Sequence, residues 1–335
     1  KGITRFHRSP YAPLGGVSDD TQMTLFTATG LLEGSSRVKM EGDNDVRNWE
    51  KAVARHYLDW LNTQVITKGP KAEHPSSWLY SVPELHERRA PGTTCMTALS
   101  ALEAGHEVNN NSKGCGGVMR VAPVALCRDL MDMPSSFVVA LGGTVAEITH
   151  QHPLGYMPAA MMTDLLRRIM DSDCAGDKDC LKSCVLEAAE TVRKLYGFMH
   201  PEHWKTFKVL VDKAVELAYA DMKDVEAIGQ LGEGWVGDEA LAIAIYCALK
   251  HYDSFEDAVI AAVNHNGDSD STGAICGNIL GLVYGYDTLP SHFKDNVELQ
   301  DVISEVAEDL YKGCPSEEKG AAAEEVQKWK NKYLK

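Results

Sequence analysis

Two four-residue clusters, Ser18-Asp19-Asp20-Thr21 and Asp268-Ser269-Asp270-Ser271, each pack two carboxylates and at least one hydroxyl into about one helical turn. Both stand where an apolar stretch of helical period begins, so both are expected at helix N-termini. Capping explains part of this, because Ser and Asp accept hydrogen bonds from the free amides of a first turn and the helix dipole favours acids there. One acceptor is enough for a cap, however, and neighbouring carboxylates repel. A hard divalent cation accounts for the surplus, since Mg2+ and Mn2+ take oxygen ligands of the kind that Asp, Ser and Thr supply. Two such clusters facing each other across a cleft would hold two cations about 3.5–4 Å apart.

A third element is Ser112-Lys113-Gly114-Cys115-Gly116-Gly117, ahead of a helix start expected near Val118. Its glycines free backbone N–H groups to converge on a small anion or a diphosphate. The glycine-rich run 229–237 carries Trp235, a candidate stacking wall for an aromatic base. In Thr149-His150-Gln151-His152-Pro153 the imidazoles are two residues apart and do not share a helical face. The motif therefore reads as one His lining a pocket rather than a two-His metal site.

These groups need elements to position them. Apolar residues recur at i, i+3 and i+4 over residues 18–33, 46–62, 94–104, 135–150, 156–171, 180–198 and 205–220. The same period returns from Asp238, over 254–263, after Ser271, and over 296–312 and 319–333, and MRVAPVALCRDLM is expected to resume a helix after the glycine loop. Residues 1–17 and 63–93 read as loop. Alternating strand patterns are missing, so the fold class is all-α: a compact orthogonal multi-helix bundle around a central binuclear metal cleft. Gly273, Gly277 and Gly281 fall every four residues, which predicts a bare helix face that another helix can approach closely.

Composition sets the outer bounds. The chain has 335 residues, 44% of them hydrophobic, and 48 acidic against 33 basic residues, a formal charge of −15. That balance describes a globular chain able to bury a core without staples, and it repels nucleic-acid backbones and anionic membranes. No apolar run approaches the length of a membrane span, and no signal peptide is visible. The nine cysteines are scattered and odd in number, which points to a reducing, cytoplasmic compartment. Cys174, Cys180 and Cys184 form the one tight group, but their spacings lack the paired pattern of a zinc knuckle. One domain over 1–335 and a monomer are expected.

The stretches SDDTQMTL, RAPGTT, GCGGVMRVAP, THQHPLGY, GDEALAIAIYCAL and GDSDSTGAICGNILGLVYG, in this order from about Gly2 to Tyr286, resemble the ADP-ribosylglycohydrolases. That family includes the ADP-ribosylarginine hydrolases and the dinitrogenase-reductase-activating glycohydrolase. The resemblance implies an all-α domain with two divalent cations, Mg2+ or Mn2+, which hydrolyses the bond between ADP-ribose and a protein side chain. Carried over by position, it makes Ser18, Asp19, Asp20, Asp268, Asp270 and Ser271 the metal ligands. Ser112, Lys113, Gly114 and Cys115 would lie along the diphosphate and ribose, with His150 near the ribose and adenosine side. A water activated at the cations would attack the anomeric carbon, with Asp20 or Asp270 accepting its proton. Asp-Ser-Asp-Ser at the second cluster, with RAPG, resembles the arginine-specific branch. The family's glycine- and alanine-rich opening helix, with its G-D-A-x-G pattern, has no counterpart here, and Lys113 stands where other members can carry an aromatic residue. The alternative is a catalytically inactive ADP-ribose-binding or structural member of the same fold. A binuclear-metal phosphatase on another fold would call for His-rich ligands that these clusters lack.

Overall fold

The computed structural model describes residues 2–6, 13–65, 75–316 and 320–334. At its centre lies α10 (Gly237–Lys250), in which every residue from Ala240 to Leu249 is buried. A helix that is apolar all round has no solvent face to offer, so it must be surrounded. It is enclosed by α6 (Pro153–Asp171), α8 (Pro201–Tyr219), α11 (Phe255–Val263) and α12 (Ser269–Tyr284).

On one flank α1 (Asp19–Met40) packs along α2 (Asn48–Gln64), followed in the chain by α3 (Thr93–Glu103). Glycine makes the α1–α2 approach possible. A Cβ on Gly30 would lie 2.7 Å from Val53 Cα, and one on Gly34 would lie 2.8 Å from Trp49 Cα. Beyond α4 (Ala122–Leu126), the helices α5 (Ser135–Glu147), α6, α7 (Lys178–Tyr196), α8 and α9 (Asp224–Leu231) build the opposite flank. After α12 and the short α13 (Ser291–Lys294), α14 (Gln300–Lys312) and α15 (Ala323–Tyr333) return to α1. There Trp329 Nε1 donates to Ser36 Oγ at 2.8 Å, so the last helix is docked rather than frayed. Among the described residues the only β pairing is an isolated bridge between Gly114 and Val236.

The all-α expectation holds, with local corrections. The stretch after the glycine loop is three short pieces, a 3-10 turn Cys115–Arg120, then α4, then a 3-10 turn Arg128–Leu130. Pro123 lacks an N–H and is tolerated only in the first turn of α4, so one continuous helix cannot form across it. The glycine-rich run 229–237 is half helix, because α9 extends to Leu231 and ends where Gly232 takes φ +129°. Among the described residues the α12 glycine stripe seats a neighbour only at Gly273, where a Cβ would lie 2.7 Å from Val263 Cγ1; Gly277 and Gly281 meet none of them within 4 Å. Ile275, Cys276, Ile279 and Leu280, which are buried, carry the packing of α12 instead. Uniformly reduced thiols are also corrected: Cys174 and Cys180 form a disulfide, and the other seven cysteines are free. Parts of the expected loops, 7–12 and 66–74, and residue 319 lie outside the described residues. No helix among the described residues is long and apolar enough to cross a membrane.

Candidate active site

The two acidic clusters meet. Residues 18–20 open α1 and residues 268–271 open α12, and the carboxylates of Asp19, Asp20 and Asp270 lie within 4.8 Å of one another. Neither cluster spends its side chains on a conventional cap. Ser18 stands at the N-cap of α1 but makes no capping bond with its side chain; its Oγ donates to Asp20 Oδ2 at 2.9 Å. Asp268 stands at the N-cap of α12 and likewise caps nothing; its Oδ2 accepts from Cys115 Sγ at 2.7 Å. Ser271 Oγ donates to Cys115 Sγ at 3.6 Å, which ties the second cluster to the glycine loop. Capping is thereby set aside as the purpose of the surplus acid.

The electrostatics are uncompensated. Asp19, Asp20 and Asp268 are buried, whereas Asp270 is exposed at the cleft edge. None of the ion pairs among the described residues involves any of the four. Burial, opposed by the Gly92 N–H that donates to Asp19 Oδ2 at 3.0 Å, pushes the Asp19 carboxyl up to about 7. Burial and the charges of Asp270 and Asp19 hold Asp20 well above the carboxylate range. Burial raises Asp268 to about 6. Asp20 Oδ1 is buried with no hydrogen-bond partner among the described residues. A buried carboxylate oxygen without donor or counter-charge is costly, and a coordinated cation removes that cost. The donor set, carboxylate and hydroxyl oxygen, fits a hard divalent ion.

From the acids a cleft of about 620 Å³ runs past Gly114, Cys115 and Gly116 to His150 and Trp235. Trp235 is 56% exposed at the far end of this cleft. The glycine loop is clamped to the Trp235 loop, with Cys115 N donating to Trp235 O at 3.2 Å and Gly237 N to Lys113 O at 2.8 Å. Gly114 N is also occupied, by Ser112 Oγ at 3.3 Å. The loop thus spends on its own fold amides that the sequence offers to an anion. Its glycines serve a second purpose: a Cβ on Gly116 would lie 2.7 Å from His150 Cε1 and one on Gly114 3.1 Å from Nε2. Only bare backbone lets this imidazole reach the cleft wall.

His150 is held from behind. Its Nδ1 lies 2.8 Å from Thr149 Oγ1, which accepts from Arg120 at 2.7 Å. Arg120 is fully buried, with its guanidinium 4.4 Å from the centre of the Tyr57 ring. Burial and the Arg120 charge lower His150 to about 3, so the ring is neutral at physiological pH.

Of the expected site residues, Asp19, Asp20, Asp268, Asp270, Ser271, Gly114, Cys115, His150 and Trp235 line the one cleft. Ser18 supports Asp20 beside it, Ser112 Oγ bonds within the loop and 3.1 Å from Thr94 Oγ1, and Lys113 is not part of the lining. Residues 90–95 and Met119 also line the cleft, although nothing in their residue types alone marks them for it. Pro91-Gly92 is a legible turn signal, but nothing local announces that Gly92 reaches Asp19, 73 positions away.

The family model for ADP-ribosylglycohydrolases matches residues 1–320. The chain is 28% identical over 289 residues to the ADP-ribosyl-[dinitrogen reductase] glycohydrolase of Rhodospirillum rubrum, covering 85% of this chain and 75% of that one. It is 38% identical over 71 residues to ADP-ribosylarginine hydrolase Tri1 of Serratia proteamaculans, covering 21% of this chain and 19% of that one. With the human ADP-ribosylhydrolase ARH3 it shares 23% identity over 223 residues, covering 60% and 58%. The chain thus spans about a fifth of the Tri1 protein and somewhat over half of ARH3. A solved ADP-ribosylglycohydrolase-related protein complex superposes with TM-score 0.62 at 21% identity, covering 93% of this chain and 87% of that one, which shows the shared fold. The chain belongs to the ADP-ribosylglycohydrolase family.

Proposed function

We propose that this family member is a metal-dependent hydrolase that removes ADP-ribose from a modified protein side chain, with arginine the favoured linkage. The observation that carries this is the uncompensated acid centre, with the unpartnered Asp20 Oδ1, opening into the same cleft as the glycine loop and Trp235. Asp19, Asp20, Asp268 and Asp270, with the hydroxyls of Ser18 and Ser271, would hold two Mg2+ or Mn2+ ions. When bound, such ions polarise water and ribose hydroxyls at neutral pH. The protein's own residues do the rest. Asp270, exposed at the cleft edge, or Asp20 accepts the proton of the attacking water as the glycosidic bond breaks. Thr149, fed by Arg120, favours the His150 tautomer that presents Nε2–H to the cleft, where it donates to a ribose or phosphate oxygen. The first turn after Gly114 lies along the diphosphate, and Trp235 covers the base.

The arginine preference rests on the Asp-Ser-Asp-Ser cluster and on the likeness to proteins described as acting on arginine or dinitrogen reductase. The reading takes the chain as a cytoplasmic monomer acting on an ADP-ribosylated protein, with no nucleic acid or membrane involved. Release of free ADP-ribose from an ADP-ribosylated arginine substrate, with Mg2+ and with a chelator, tests it. Metal-dependent release is expected. Tight binding of ADP-ribose without release from any protein linkage would instead make the chain a binding module.

A further inference from the structure

Outside the cleft, the densest group of soft ligands lies at the turn from α6 into α7. The Sγ atoms of Cys174, Cys180 and Cys184 all lie within 4.8 Å of one another. Cys174 and Cys180 are joined as a disulfide, and the free Cys184 thiol stands 3.8 Å from Cys174 Sγ. We propose that, once this disulfide is reduced, the three sulfurs form a binding site for a thiophilic d10 cation, zinc being the one tested, so that the turn exchanges a covalent cross-link for a metal bridge.

Three observations support the assignment. Two thiolates on one tetrahedral zinc, each about 2.3 Å from it, stand roughly 3.8 Å apart. The Cys174–Cys184 separation matches that spacing. Next, the fold holds the sulfurs together independently of the S–S bond. Cys180 and Cys184 are one helical turn apart on the same face of α7. Cys174 is folded back onto them by Tyr252, whose hydroxyl donates to Cys174 O and accepts from Asp177 N at 2.9 Å. Finally, the surroundings suit thiolates on a metal. Cys180 sits in the first turn of α7, where the helix dipole favours an anion, while burial raises the Cys184 thiol, so that its proton leaves only in exchange for a cation.

Among the described residues no His or carboxylate joins the group, which leaves a fourth position for water. An all-sulfur set prefers zinc to the hard cations suited to the cleft, so the two sites would not compete. The chemistry balances. A dithiol reductant gives two electrons and two protons to the Cys174–Cys180 bond and itself closes to a disulfide. The cation then displaces three thiol protons to solvent.

Cobalt(II) is the probe, because sulfur-to-cobalt charge-transfer absorption reports thiolate ligands and the oxygen ligands of the cleft give none. The reduced full chain is expected to develop this band at one equivalent and to lose it on adding one equivalent of zinc. The unreduced chain is expected to show none. Cys184→Ser and Cys180→Ser should each weaken binding at least about tenfold. Cys180 is only half-buried, so its variant keeps the test usable if Cys184→Ser does not fold. No band in the reduced chain overturns the proposal. So does a band that survives unchanged in Cys180→Ser, which would assign it to another thiol such as Cys115.

Discussion

Helix α1 buries acid at two places, and the two are treated in opposite ways. Glu33 has its partners supplied: Arg55 and Arg37 pair with its Oε1 at 2.6 and 2.8 Å, and His56 Nε2 lies 3.0 Å from its Oε2. Despite burial, the hydrogen bond from His56 and the neighbouring charges lower its carboxyl to about 2. Fourteen and thirteen positions earlier in the chain, Asp19 and Asp20 are about as buried, meet no cation among the described residues, and have their carboxyls pushed up instead. The same residue class on the same helix thus marks a satisfied structural ion pair at one end and an unmet demand for positive charge at the other. Burial of acid alone says little; the partners distinguish a strut from a candidate metal site.

The sharpest way to break this contrast is to remove one acid from each region. Asp270→Asn is expected to lower turnover by roughly a thousandfold or more, the scale of losing a preorganised electrostatic group, while leaving the protein folded. Full activity with unchanged metal content would place the second cluster outside the chemistry.

The second test is pH. Asp19 has its folded carboxyl raised from 3.8 to about 7, so the folded state binds its proton more tightly than the unfolded chain. In chelator, stability should therefore be greatest below about pH 4 as far as this group is concerned and fall as pH rises towards 7, by a penalty on the order of 4 kcal/mol. Mn2+ or Mg2+ should abolish the fall. Melting temperatures at pH 5 and pH 8, with chelator and with cation, check it; equal slopes in both would refute the uncompensated centre.

Glu33 has the opposite sign. Its folded carboxyl is depressed, so its stabilisation is present above the unfolded value near 4.5 and is lost as pH falls through about 2. Glu33→Gln should cost about 1–2 kcal/mol at neutral pH, because the partly exposed Arg37 and Arg55 lose their counter-charge and buried His56 loses its charged acceptor. Denaturant midpoints would show it, and cation binding should be unaffected. The smallest effect belongs to the far end of the cleft. Trp235→Ala should raise KM by about tenfold with kcat little changed, the scale of one base stacked on an aromatic ring. A fall in kcat at constant KM would mean that Trp235 orders the loop clamped at Cys115 instead.

Much of the candidate site is readable because its candidate ligands come in local bursts. Two carboxylates beside hydroxyls at a helix start announce themselves within four residues, and the 3.6-residue period of α1, α2, α10 and α12 placed those starts correctly. The rest depended on partners distant in the chain. That Ser18 and Asp268 do not cap their helices follows from Asp20 and from Cys115, the latter 153 positions away from Asp268. The Gly277 and Gly281 face looked like a packing seam because spacing reveals a bare face but not whether a neighbour occupies it. The cysteine spacing 174, 180, 184 argued against a joint site, and only the turn pinned by Tyr252 brings the three sulfurs together.

The central claim is that the four acids form a cation centre, and the most direct test is to count the ions. Mn2+ titrated into the metal-free chain at pH 7.5, with free ion followed by its paramagnetic resonance signal, should saturate at two per chain. In Asp19→Asn and Asp270→Asn it should bind fewer ions or bind far more weakly. A wild-type chain that takes up no Mn2+ at millimolar concentration, or one whose uptake is unchanged by both substitutions, would contradict the account.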